Sequence, residues 1–545
     1  MKNNNGIGWW KSSGNRPLEG DQAMKDALMQ VTKPLFLVSL NGGYGVTHSG
    51  TAIIGNEMEP DKGCHPLKAY APSLDPSELG DSQFKKRFNL RYAYIAGAMA
   101  NGIASVEMVE AAGNAGMLGF FGAGGLSIDQ IAKAIDSLQE RMGDRSYGIN
   151  LIHSPNEPEL EFETVKLYLD RKVRLVSAAA YMRLTLPLVY YRIKGIYQNA
   201  DGKIICPNKV IAKISRIEVA KHFFSPPPEK ILKQLLEKNM ISNEEAKLAR
   251  LVPVADTMTA EADSGGHTDN RPALALLPTI CALRNEMAGE YAYPFPLFVG
   301  LGGGIATPES AAAAFAMGAS YVLTGTINQS CVESGTSEMV RNMLAEAGQA
   351  DITMAPAADM FQMGVKVQVL KRGTMFPVRA SKLYELYTKY ESFDDIPEKD
   401  RITLEKNFFK CSFQEEWEQT KKFFMIRDPR QVTRAESEPK HQMALVFRSY
   451  LGRSSNWAVS GDPSRTIDYQ VWCGPAIGAF NEWVKGSFLE KPENRKTAVV
   501  AMNILLGASF FTRLNWLRNQ GINFPDNFCK FEPMQDDEIK KLLNQ

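Results

Sequence analysis

The sequence predicts an α/β chain: a (β/α)8 TIM barrel with an N-terminal extension and a large helical C-terminal region. Three observations predict it. Eight short apolar runs recur between residues 92 and 323, and stretches with helical periodicity lie between them. Glycine clusters follow the seventh and eighth runs. Beyond residue 340 the alternation stops, and helical patterns rich in Trp and Tyr take over.

Residues 1–88 are rich in Gly, Asn, Pro and Ser, with short apolar patches such as Pro34–Val38. They read as an irregular extension packed on a larger body. The candidate strands that follow are Tyr92–Ala98, Met117–Phe121, Tyr147–Ile152, Val173–Ala178, Val210–Ile214, Leu251–Ala255, Leu297–Gly300 and Tyr321–Leu323. Ser105–Asn114, Ile128–Arg141, Pro228–Lys238 and Pro308–Met317 carry the helical period between them. Strand alternating with helix implies a parallel sheet. Eight repeats over roughly 240 residues fit closure into a barrel. Short, continuously apolar strands suit a sheet covered on both faces. Helical patterns then recur at Ser381–Tyr390, Gln414–Phe424, Met443–Leu451 and Val499–Trp516. The expected division is therefore 1–88, 89–340 and 341–545.

Charge and cysteine content narrow the function class. Lys and Arg number 62 against 61 Asp and Glu, a formal net charge of +1. That balance points away from nucleic acid or a membrane surface as the main partner. The seven cysteines are spread without a CxxC pair, as expected for reduced thiols in a cytoplasmic protein. The six histidines lack metal-ligand spacing, so no metal is expected. The opening MKNNNGIGWWKSSG has no apolar core of a secretory signal. No uninterrupted apolar run is long enough to suggest a membrane span.

In such a barrel the chemistry lies at the C-terminal ends of the strands. After the first strand, Ala98, Met99, Ala100 and Asn101 are small enough as a group to let a flat ring approach the backbone, or they form a tight turn. After the seventh come Gly302, Gly303 and Gly304, and after the eighth Gly325 and Thr326. Together these loops can aim backbone N–H groups, and the helix N-termini behind them, at a phosphate. After the sixth strand stands EADSGGHTD, with His267 behind Gly265 and Gly266. A rim histidine can donate a proton near neutral pH. Lys213 could stabilise negative charge on a ligand or snorkel at a strand end, and Asn150 could bond a ligand ring or cap its strand. Cys331 reads as a helix-start cysteine rather than a catalytic thiol, and the other histidines as structural or solvated.

Taken together, GAMANG, NAGMLGFFGAGG, YGINL, EADSGGH, GLGGGIATPESAAAAFAMGA and GTINQ resemble the flavin-barrel family of nitronate monooxygenases and FMN-dependent enoyl reductases. APAADMFQMGVKVQVLKRGTMFPVRASKLYELY and DYQVWCGPAIGAFNEWVKGS resemble one branch more closely. That branch is the stand-alone enoyl reductase subunit of bacterial polyunsaturated fatty acid synthases and related polyketide systems. The resemblance implies FMN held by the glycine loops, with NADPH or NADH as reductant. It implies an enoyl thioester carried on acyl carrier protein domains of a multienzyme synthase, with His267 beside the flavin as proton donor. An acidic carrier would need a basic patch, for which Arg372, Arg379 and Lys382 are candidates. Nitronate monooxygenase chemistry, with His267 as base and oxygen as acceptor, is the alternative. A flavin-binding scaffold and a flavin-free phosphate-binding barrel are the remaining readings. The sequence leaves the oligomeric state open, a homodimer included.

Overall fold

The computed structural model describes residues 6–40, 43–55, 62–153 and 158–543. Eight parallel strands close into a barrel. In chain order they are β1 (Tyr94–Ala96), β2 (Leu118–Phe121), β3 (Tyr147–Ile152), β4 (Leu175–Ala179), β5 (Lys209–Ile214), β6 (Thr257–Glu261), β7 (Phe298–Gly302) and β8 (Val322–Thr324). Chain neighbours are sheet neighbours throughout, and β8 pairs back onto β1 through Val322↔Tyr94, Leu323↔Ile95 and Thr324↔Ala96.

One strand differs from the sequence reading. The sixth is Thr257–Glu261, not Leu251–Ala255. Val252, Val254 and Ala255 are buried, which is why the run looks like a strand, but Pro253 interrupts it with a residue that cannot donate to a ladder. Asp256, fully buried, then pairs with Arg87 and Arg192 at the start of the true strand. The strand itself alternates polar threonines, and Thr259 bonds the Tyr321 hydroxyl at 2.7 Å. Threonine is β-branched and suits a strand, yet it carries no apolar signal.

The lead-in to the barrel decides which end stays open. Helix Ser82–Phe88 inserts Phe84 and Phe88 among Ile95, Leu118, Ile211 and Tyr321. Phe84 stacks on Tyr321 at 4.4 Å between ring centroids. The Arg87 carbonyl accepts from Lys209 at the start of β5, at 2.9 Å. The end where strands begin is therefore plugged, and the C-terminal end remains for a ligand.

Residues before this helix are not irregular. They form a six-stranded sheet built around Leu35–Leu40 and Cys64–Ala71. Ala69 and Ala71 pack on the main core beside Leu35 and Leu37, while Leu67, beyond a register shift, packs on the other face with Trp10, Phe36 and Val38, so the alternation is broken within the strand as well as by Pro66. The sheet rests on the C-terminal helix Thr497–Asn519. Arg513 of that helix donates to the carbonyls of Pro72, Leu28, Gln30 and Lys33, and Gln520 pairs both ways with the Tyr70 backbone at 2.9 Å. Helix Thr497–Asn519 is long and apolar enough to cross a membrane, but here most of it is buried inside the fold. Gly507 lets it approach Pro308, since a Cβ there would lie 2.6 Å from the proline ring.

The C-terminal region is mostly helical, but not entirely. Ile352–Pro356 and Lys366–Leu370 form an antiparallel pair, and Gly266–His267 adds a third strand to it. These strands, absent from the sequence reading, tie the distant chain to the loop after β6.

Candidate active site

The loop after β6 is built from outside itself. Gly266 pairs with Gln368 and His267 with Val367. Gln368 is buried, and its side-chain amide donates to Asp263 Oδ1 at 2.9 Å and to the Ser264 carbonyl at 2.8 Å. Asn270 closes the loop by donating to Asp263 Oδ1 at 2.8 Å. Gly265 lies flat against Cys473 and Gly474. A Cβ on Gly265 would come within 2.9 Å of the Cys473 nitrogen, and one on Gly474 within 2.9 Å of the Gly265 nitrogen. The two glycines are a matched pair, required by close backbone approach.

His267 Nε2 lies 3.2 Å from Asp359 Oδ1. Burial disfavours its imidazolium, but the hydrogen bond and charge of Asp359, with the charge of Glu261 behind them, outweigh that and raise its pKa. The side chain keeps 42% of its surface exposed, so it is both charged more readily and reachable. Asp359 carries no signal in the sequence, and Glu261 enters it only as the first residue of the EADSGGH motif. Glu261 ends β6 and pairs with Lys213 of β5 at 2.6 Å.

The loops after β7 and β8 are shaped by glycine. Gly303 has φ +87°, and a Cβ there would sit 2.6 Å from the Ala262 carbonyl carbon, so the loops after β6 and β7 touch. Gly302, at the end of β7, abuts the Thr259 methyl. Gly304 and Gly325 face open space where a side chain would stand. Among the described residues, no hydrogen bond engages the amides of Gly303, Gly304 or Gly325. Free amides beside open space can hold an anion. The helix ends behind them are a different matter. Helix Pro308–Ala316 is capped by its own Thr307 and Ser310, and the helix after Gly325 is only four residues long. The expected helix N-terminal contribution therefore reduces to the loop amides. The Thr326 hydroxyl accepts from the Gly474 amide at 3.2 Å, which links β8 to the same C-terminal segment that covers Gly265.

Around the other half of the rim, Ala98, Met99 and Ala100 are partly exposed after β1. Gly122 packs directly on the Met99 carbonyl, and Gly124 on Ile152 and Ala100. Asn101, at φ 57°, donates to Ser455 Oγ at 3.0 Å, so helix Pro439–Ser460 reaches the mouth. Asn150 Oδ1 accepts from the amides of Ala123 and Gly124 at 2.6 and 3.2 Å. Two backbone donors fix which end of that amide is oxygen, and its NH2 group bonds nothing among the described residues.

Two other expectations meet the structure here. Cys331 is wholly buried, and its thiol is pushed up to about 12 by burial and the charge of Glu333, so it is no nucleophile. The basic patch does not stand free: Arg372, Arg379 and Lys382 are each committed to carboxylates of the same chain. Their partners are Glu346 and Asp351, Asp468, and Glu385 and Asp400. Among the described residues, no three His, Cys, Asp or Glu side chains gather as a metal-holding group.

A closed barrel with this glycine mouth matches the model of one family, nitronate monooxygenase, over residues 82–388. The chain belongs to the nitronate monooxygenase family. It is therefore an oxidoreductase. Residues 390–469 match a second model, the inserted helical domain of [acyl-carrier-protein] S-malonyltransferase. The chain is 49% identical over 450 residues to one of the polyunsaturated fatty acid synthase subunits of Thraustochytrium sp., covering 81% of this chain and 30% of that one. It is 46% identical over 433 residues to the polyketide biosynthesis protein PksE of Bacillus subtilis, covering 79% of this chain and 56% of that one. The chain thus spans less than two thirds of either relative. A crystal structure of the enoyl reductase domain of MlnA, from the macrolactin cluster of Bacillus amyloliquefaciens, superposes with a TM-score of 0.77. That pair is 40% identical, with 81% of this chain and 99% of that one covered.

Proposed function

We propose that the chain is an FMN-dependent enoyl reductase, reducing the 2,3 double bond of enoyl thioesters presented by acyl carrier protein domains of a fatty acid or polyketide synthase. The observation that carries this reading is the likeness to the MlnA enoyl reductase domain across nearly all of that domain's length. The mouth fits the cofactor. The free amides of Gly303, Gly304 and Gly325 border space that suits a phosphate, open at Gly304 and Gly325 where a Cβ would stand. Asn150 keeps its NH2 for a ring carbonyl, and Lys213 supplies positive charge on the neighbouring side. Bound FMN supplies the hydride relay from NADPH or NADH to the β-carbon of the substrate.

The chain's own part is orientation and proton delivery. His267 donates its proton to the α-carbon, and Asp359 keeps the imidazolium populated for that step. Glu261 holds Lys213 in the mouth. Helix Pro439–Ser460 and the 352–370 strands cover the rim and limit water. The match of residues 390–469 to a helical domain from another carrier-dependent enzyme supports a carrier-bound substrate.

The test is anaerobic absorbance of the flavin-loaded protein. Bleaching by NADPH followed by recovery on adding crotonyl thioester is expected. Bleaching without recovery, with carrier-bound as well as free thioester, would defeat the reading. The match to the nitronate monooxygenase model favours a second one, which predicts oxygen consumption with nitroalkanes.

A further inference from the structure

One cluster at the mouth takes no part in that chemistry. β3 ends at Ile152, so His153 is the first residue of the rim there. Its Nδ1 lies 2.9 Å from Glu161 Oε2, on a carboxylate only 2% exposed. The other oxygen, Oε1, accepts from the Tyr181 hydroxyl at 2.9 Å and from the Thr185 hydroxyl. Tyr181 stands just past β4, is buried, and stacks on the imidazole with 22° between ring planes.

The ring is thereby fixed in orientation. Nδ1 faces Glu161, and a ring with a proton on each nitrogen would present Nε2–H to a ligand. Nε2 bonds no protein atom among the described residues, while the side chain keeps 9% of its surface exposed. A histidine present only to satisfy Glu161 has no need of an Nε2 that bonds nothing among the described residues. Orienting one ring nitrogen with a carboxylate to aim the other at a ligand is an established use of the residue.

Enoyl thioester reduction develops negative charge on the thioester oxygen. With His267 assigned to the α-carbon and the glycine loops to the phosphate, neither serves that oxygen. A proton reaches an enolate carbon from above its plane, whereas a hydrogen bond reaches the oxygen within the plane. The two donors must therefore come from different directions. β4 and β5 separate β3 from β6 in the barrel, so His153 and His267 stand on different sectors of the rim.

We propose that His153 Nε2–H donates to the carbonyl oxygen of the bound acyl thioester, with Glu161, Tyr181 and Thr185 as positioning residues. This rests on the enoyl reductase reading of the same mouth. The test uses flavin-loaded full-length protein, reduced anaerobically with NADPH and mixed with carrier-bound crotonyl thioester. His153→Gln is expected to slow reoxidation by about 10²–10³-fold, the usual loss for one such donor. Its NADPH reduction rate and flavin content should stay within about twofold of wild type, and its Kd for the saturated butyryl thioester within about threefold, because the bond strengthens only as charge develops. Reoxidation of His153→Gln at the wild-type rate overturns the proposal. Should that variant not fold, His153→Asn decides. Its shorter amide can still donate to Glu161 but does not reach the Nε2 position, so a similar loss is expected in reoxidation alone, and an unchanged rate overturns the proposal equally. Wild-type protein that carrier-bound thioester cannot reoxidise defeats the enoyl reductase reading itself, a result distinct from a silent His153 variant.

Discussion

The loop after β6 and the loops after β7 and β8 meet at one mouth but are held in different ways. The glycine loops owe their shape to their own residues: a positive φ at Gly303, room at Gly304 and Gly325, and a self-contained cap at Thr307 and Ser310. The EADSGGH loop owes its shape to distant chain. Gln368 bonds Asp263 and Ser264, Val367 pairs with His267, and Cys473 and Gly474 pack on Gly265. The part suited to an anion is thus locally specified, and the part suited to moving a proton is assembled from three remote segments. An acid must be placed to within hydrogen-bond reach of its target, so its support is spread over the fold.

Variants can break this contrast. The largest effect is expected for His267→Ala, which should lower enoyl thioester turnover by about 10²–10⁴-fold with flavin still bound. Stopped-flow absorbance reads both halves of the reaction, and loss confined to reoxidation would place the defect at proton delivery. Gly303→Ala comes next. Its positive φ and the 2.6 Å approach to Ala262 should cost about 1–3 kcal/mol of strain, weakening flavin retention by roughly 5–150-fold in a fluorescence release assay. Because the loops after β6 and β7 touch here, a variant that keeps flavin but loses proton transfer would show the two regions to be less separable than this. Gln368→Ala should leave flavin affinity alone and reduce turnover about 10–100-fold, since it strips buried partners from the EADSGGH loop. Equal losses in flavin binding and turnover would erase the contrast.

The gentlest change is Asp359→Asn. A general acid works in its protonated form, so activity falls as pH rises through the His267 pKa. Asp359 raises that pKa, so the alkaline limb of kcat/KM should move to lower pH when the carboxylate becomes an amide. A limb that stays in place would assign it to another group.

The order of strands and the positions of the rim loops are legible because each depends on a few adjacent residues. Where adjacency fails, so does legibility. The apolar pattern places β6 too early because Val252, Val254 and Ala255 are apolar for packing rather than for a ladder, while Thr257 and Thr259 pair inside the barrel. The six-stranded sheet before residue 72 is hidden because its strands are short and their alternation is broken by Pro66 and by Gly43 and Gly45. Lys366–Leu370 alternates too briefly among helical patterns to stand out, and one of its two partner strands, Gly266–His267, is only two residues long.

The barrel, the glycine mouth and the presence of a rim histidine are written in the sequence. Periodicity and the conformational freedom of glycine act over a few residues, so their signals are local. What surrounds that histidine is settled by the tertiary fold. Asp359 lies 92 residues from His267, Gln368 lies 105 from Asp263, and Ser455 lies 354 from Asn101. No local period encodes such pairings. They follow from burying the C-terminal region against the open end of the barrel, and that burial is a property of the whole chain.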